Sequence, residues 1–124
     1  MTRAYGDEMP NDPECLFCRI VTGEVPAEVV HQTHTTLAFR DVQPQAPTHV
    51  LVIPRAHVPD AAALSREHPG VLDDLVRAAA EVAEQDGLDR GYRLVLNTGA
   101  DAHQTVFHTH LHVLGGRSML WPPG

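Results

Sequence analysis

The spacing of apolar residues changes character several times along the chain. Over 14–22, Leu16, Phe17, Ile20 and Val21 recur at helical spacing and Gly23 follows, which predicts a short helix with a C-terminal stop. Segments 28–31 and 35–40 read as two strands joined by a tight turn at 32–34. Pro44 and Pro47 make 43–48 a rigid loop. The branched, apolar run 49–53 predicts a buried strand, which Pro54 ends. Over 71–85, Leu72, Leu75, Val76, Ala79, Val82 and Ala83 form one stripe of a long helix. Asp73 and Asp74 sit at its positive end, and Gly87 lies just beyond its other end. Segment 92–97 predicts a strand, 99–103 a polar loop, and 106–114 a last strand stopped by Gly115 and Gly116. The ending WPPG suits neither a helix nor an inner strand. Five strands with short turns, one long helix and one short one predict an α+β fold on an antiparallel sheet.

A chain of 124 residues carries one domain on this pattern. Residues 1–13, with Pro10 and Pro13, read as a mobile arm, and 14–124 as a single domain that includes the tail 115–124. The net charge of −7 argues against binding to nucleic acid, because phosphate-backbone affinity runs on cationic side chains. It leaves room for a small anion held by backbone N–H groups and a few donors. The start is polar and acidic, unlike a signal peptide, and no apolar stretch approaches the length of a membrane span. The expectation is a cytoplasmic protein without membrane contact.

Histidine changes this picture. The chain has nine, and three of them alternate strictly in His108-Thr109-His110-Leu111-His112-Val113-Leu114. In a strand, alternation places all three on one face, with Leu111 and Val113 on the other. A merely solvated face would accept polar residues of many kinds. The outer two would stand roughly 13 Å apart, too far for all three to hold one metal ion. The central imidazole can react while its neighbours orient and protonate, since neutral imidazole titrates near physiological pH and is a nucleophile toward phosphorus. The two cysteines, Cys15 and Cys18, form C-x-x-C at a helix start. A redox dithiol, two core cysteines or a metal site all fit that spacing, although the βαβ context of a thioredoxin-like motif is missing.

The motif HTHLHVL resembles the His-x-His-x-His-x-x signature of the histidine-triad (HIT) family, with Thr109 a mild exception to its apolar positions. LAFRDVQPQAPTHVLVIPRAH, LVLNTG and QTVFHTHLHVLGGRSMLWPPG resemble the Hint branch, the purine nucleoside phosphoramidases, and the likeness covers roughly 15–124. The resemblance implies a HIT-like fold whose sheet continues across a homodimer. It implies a hydrolase that cleaves at the α-phosphate of nucleoside phosphoramidates or acyl nucleotides through a nucleotidyl-histidine and releases a nucleoside monophosphate. A dinucleoside polyphosphate hydrolase and a nonenzymatic nucleotide-binding protein are the alternatives.

By position, His110 is the implied nucleophile, His112 the partner of a phosphate oxygen or leaving group, and His49 the residue that supports them. Thr105 offers a hydroxyl near the departing atom. Asn97, Gly99, His103 and Gln104 line the implied phosphate loop, where His103 stands in place of the usual glycine. Asp41 is implied to accept the ribose hydroxyls, with Phe17, Phe39, Val42 and Leu51, and also Leu16, Ile20 and Val25, as apolar lining. Arg40 is expected beside that nucleoside pocket. Cys15, Cys18, His57 and His108 match a structural zinc site found in many bacterial relatives, a closed Cys2His2 shell.

Overall fold

The computed structural model describes residues 11–124. The expected arm therefore lies outside the described residues over 1–10. Within 11–13, the Asp12 carbonyl accepts from Cys15 N–H at 3.0 Å, and its side chain from Glu14 N–H at 2.9 Å. In chain order the elements are α1 (Leu16–Val21), β1 (Val29–Gln32), β2 (Thr36–Arg40), β3 (Thr48–Pro54), α2 (Ala61–Glu67), α3 (Val71–Gln85), β4 (Tyr92–Leu96) and β5 (Leu111–Gly115). The strands form one antiparallel sheet in the order β1-β2-β3-β5-β4. Among the described residues, no helix is long and apolar enough to cross a membrane.

The period-two pattern of the strands divides the core in two. On one face Ala38, Val50, Val52, Leu111 and Val113 pack against Leu75, Ala79 and Val82 of α3 and Leu64 of α2. On the other, Leu37, Phe39, Leu51 and Ile53 pack against Cys15, Phe17 and Cys18 of α1. Helix α3 has the bounds its apolar stripe predicts. Helix α2 was not anticipated, so the described residues carry three α-helices instead of two. Its signal was present: Asp60 caps it by accepting from Ala63 N–H at 2.9 Å, ahead of a run of strong helix formers.

The last strand is shorter than expected. Its ladder with β3 begins at Leu111, opposite Val52. Continued in register, the ladder would set Pro54 against Thr109, and proline has no N–H to give. Thr109 instead donates its N–H to the Val58 carbonyl at 2.8 Å and its hydroxyl to the same oxygen at 3.0 Å. His108 and His110 therefore lie outside its ladder, with 106–108 a bent segment. Arg40 also departs from expectation. It points to the α3 face, where its guanidinium makes two bonds to the Asp86 carboxylate at 2.6 and 2.9 Å, and so it does not border a pocket on the α1 face. Thr48 joins that pair with a hydroxyl bond to Asp86 at 2.7 Å.

Candidate active site

The α1 face of the sheet carries the chemistry. His49 of β3 and His112 of β5 lie on this face, because Leu51 is the register partner of His112 and His49 is one same-face step along. His49 Nε2 lies 2.9 Å from His112 Nδ1. The ring of His110 stands 5.1 Å from that of His112 and 5.2 Å, edge to face, from Phe17. Phe17 meets His108 as well, at 5.9 Å, and Phe39 at 5.5 Å, so one α1 ring braces two histidines.

The bonding pattern assigns the ring protons. His110 Nδ1 lies 2.8 Å from the His108 carbonyl, which can only accept, so Nδ1 carries the proton and Nε2 holds a lone pair. Gln45 N–H donates to His49 Nδ1 at 3.0 Å, which puts the His49 proton on Nε2, facing His112 Nδ1 and, at 3.4 Å, Asp41 Oδ2. His112 Nδ1 then accepts, and its proton resides on Nε2. That Nε2 is buried with no hydrogen-bond partner among the described residues. A lone pair on His110 and an unanswered N–H on His112 thus occur side by side, the combination that takes an electrophile carrying oxygen atoms. Burial, together with the neighbouring His110 and His49, pushes His112 down to about 4 against the partial opposition of Asp41. Burial also lowers His49. His112 is therefore neutral at pH 7.

A second cluster lies on the other side of Phe17. Donor atoms of Cys15, Cys18, His57 and His108 all fall within 4.8 Å of one another. His108 Nε2 donates to the Pro54 carbonyl at 2.8 Å, so its Nδ1 lone pair faces the two sulfurs at 3.5 and 3.6 Å. His57 Nδ1 is 3.3 Å from His108 Nδ1 and 3.4 Å from Cys18 Sγ. A tetrahedral ion bound to two nitrogens and two sulfurs sets N···N at about 3.3 Å and N···S at about 3.6 Å, so these separations fit one. Burial pushes the Cys18 thiol up to about 11 and His108 down to about 4. Thiolates form in so apolar a setting only when a cation compensates them.

The remaining expected residues divide. Asp41 holds the start of the 41–47 loop, accepting from Gln43 N–H at 2.8 Å, with its other oxygen toward His49. Leu51 is buried beneath Phe17 and Phe39, whereas Val42 is 95% exposed and Leu16 47%. Ile20 packs at the margin of that cluster. Val25 and Asn97 are half-buried, and Thr105 is exposed. Gln104 is turned inward instead of toward a ligand. Its amide donates to the Pro59 and Val106 carbonyls at 2.6 and 3.1 Å and accepts from Gly99 N–H at 2.9 Å, closing the 99–106 loop. His103 has φ 65°, the left-handed region, which explains why glycine suits the position. Its side chain is exposed. Three contributors escaped the sequence altogether, the Pro54 and His108 carbonyls and the Gln45 N–H, because backbone groups leave no residue signature.

Known proteins are similar to this chain. The HIT domain family matches residues 22–119. A purine nucleoside phosphoramidase of Escherichia coli K12 is 43% identical over 107 residues, covering 86% of this chain and 90% of that protein. A 14 kDa zinc-binding protein of Zea mays is 44% identical over 116 residues, covering 92% and 91%. The crystal structure of a HIT family hydrolase from Legionella pneumophila Philadelphia 1 superposes with a TM-score of 0.85 at 46% identity, covering 90% of this chain and all of that one. With the triad, the sheet order and the family match in agreement, this chain belongs to the HIT domain family.

Proposed function

We propose that the protein is a hydrolase that cleaves nucleoside phosphoramidates or acyl nucleotides at the α-phosphate, with His110 as the nucleophile. One observation carries the reading: the His108 carbonyl holds the His110 proton on Nδ1, so the Nε2 lone pair stands beside the unpartnered Nε2–H of His112. Nε2 of His110 forms a bond to phosphorus as the P–N or P–O bond to the leaving group breaks, an amine leaving group takes its proton from solvent, and the attacking water returns a proton to solvent in the second step. Water then attacks phosphorus and releases the nucleoside monophosphate and free His110. The His112 N–H bonds a phosphate oxygen and stabilises charge that grows in the transition state. Thr105, which is exposed, offers its hydroxyl to the leaving group in this reading. Gly99 opens the loop whose backbone N–H groups border the phosphate, with Asn97 and His103 at its edge. Asp41 takes the ribose hydroxyls, and Phe17 and Phe39 with Leu51 support the base. The phosphoramidase activity named for the E. coli relative favours this substrate class.

The Cys2His2 cluster fits zinc in donor type and spacing, and the Zea mays relative is named for that metal. Cys15, Cys18, His57 and His108 would hold it as a closed shell. It would supply structural bracing of α1 against the approach to β5. Strand β4 ends the sheet with Tyr92 and Leu94 partly exposed, beside a groove of about 550 Å³ lined in part by Leu88 and Met119. That edge suits a second copy of the chain, giving a homodimer with a continued sheet.

Turnover of an adenosine phosphoramidate tests the function. Wild type should release AMP, and His110→Ala should lose at least about a thousandfold in kcat. Unchanged turnover in His110→Ala would overturn the assignment.

A further inference from the structure

The tail after β5 makes a contact that the chemistry above does not use. Arg117 donates Nε–H and Nη2–H to the Gln45 carbonyl at 3.1 and 3.0 Å. Gln45 is the residue whose own N–H fixes His49 Nδ1 at 3.0 Å. The tail reaches this loop because Gly115 pairs with Thr48 and Gly116 lies against Pro47. A Cβ on Gly116 would come within 2.9 Å of Pro47 Cβ, and φ is +91°, so only glycine allows this approach.

Four links therefore run in series from the tail to the site: Arg117 to the Gln45 carbonyl, Gln45 N–H to His49, His49 Nε2–H to His112 Nδ1, and His112 Nε2–H outward. We infer that Arg117 is a positioning residue that sets the tautomer of His112 through the Gln45 backbone and His49. This rests on the proposed role of His112 as donor to phosphate.

The physical logic lies in what happens when a link is lost. Charge-assisted bonds from a planar guanidinium fix the Gln45 carbonyl in direction as well as distance. Released, the exposed 43–45 segment can turn its N–H away from His49. His49 Nδ1 then competes for the proton, which only His112 Nδ1 and Asp41 Oδ2 at 3.4 Å still favour at Nε2. If the proton moves, His49 Nε2 becomes an acceptor, and His112 satisfies it by donating from Nδ1. The lone pair of His112 now faces outward at Nε2. A donor toward phosphate oxygen has become an acceptor, which repels the developing charge. Substrate still binds through base and ribose, so the loss falls on kcat.

The test uses the full-length, metal-loaded protein, with Arg117→Ala, Arg117→Lys and Gly116→Ala beside wild type. Long-range proton–nitrogen spectra read the tautomer of each ring directly. In Arg117→Ala the ring nitrogens of His49 and His112 should shift toward a mixture of tautomers, while His110, held by the His108 carbonyl, stays put. With adenosine phosphoramidate, kcat should fall about tenfold and KM change less than about twofold. Arg117→Lys, which keeps one charged donor, should recover part of both signals, and Gly116→Ala should reproduce the Arg117→Ala spectrum. Unmoved His49 and His112 signals in Arg117→Ala would overturn the inference. So would a raised KM at constant kcat, which would make Arg117 a substrate contact. If wild type itself fails to turn over, the function reading falls, and the spectra still decide the relay.

Discussion

Replacing Cys18 with serine removes one of the four donors of the proposed zinc site and little else. The lost sulfur lies 3.4 Å from His57 Nδ1 and 3.6 Å from His108 Nδ1. It also accepts from Asp12 N–H at 3.3 Å, a bond that a hydroxyl can partly keep. Structural zinc sites supply about 10–16 kcal/mol over four ligands, so one ligand is worth about 3–4 kcal/mol, or about 10²–10³-fold in affinity. At free zinc a thousandfold above the wild-type Kd, bound metal stabilises wild type by about 4 kcal/mol, and a variant weakened that far keeps at most about 1.5 kcal/mol. For a domain of this length the difference lowers Tm by about 10–15 °C. Melts in zinc-buffered solution, paired with metal content of the purified proteins, measure it. In excess chelator the two proteins should melt within a few degrees of each other. A wild-type Tm that responds to neither zinc nor chelator would refute the metal assignment.

Three other outcomes follow from the site. His112, held at about 4 against an ordinary 6.5, binds fewer protons in the folded than in the unfolded chain between those values. Its contribution, about 2–3 kcal/mol, is complete above pH 6.5 and disappears as pH falls toward 4. NMR titration should find His112 neutral down to pH 5, and a midpoint near 6.5 would contradict this. Asp41→Asn keeps the bond from Gln43 N–H but loses the charge offered to ribose. KM should rise about tenfold and the preference for ribo- over 2′-deoxy-substrates should shrink, with an unchanged preference counting against the role. Gln104→Leu leaves the Gly99 N–H and two carbonyls without their bonds, so urea unfolding should register a loss of about 1–3 kcal/mol. No loss would show that the loop closes without it.

Much of this was readable in the residues, for identifiable reasons. The long stripe of 71–85 comes from burial on one face, and the unbroken apolar run of 49–53 from a strand covered on both, which sequence period reports directly. The cysteine pair and the triad are unusual enough in type and spacing to single themselves out. What stayed hidden depends on partners distant in the chain. Strand 106–114 reads as continuous, but the proline that interrupts its ladder is Pro54, in another strand. Gln104 looks like a ligand-facing amide until the loop that it closes is in view. Arg40 is assigned to the wrong face unless its partner Asp86, beyond the end of α3, is known. The tautomers rest on backbone groups of Pro54, Gln45 and His108, which no side-chain pattern encodes.

The central claim is that Nε2 of His110 bonds covalently to the nucleotide phosphorus. Rapid mixing of the protein with adenosine phosphoramidate, acid-free quenching and intact-mass measurement tests it directly. The account expects a transient mass increase of one adenylyl group, carried by the peptide containing His110 and absent from His110→Gly. Steady release of AMP with no adduct at any time, or an adduct that persists in His110→Gly, would contradict it.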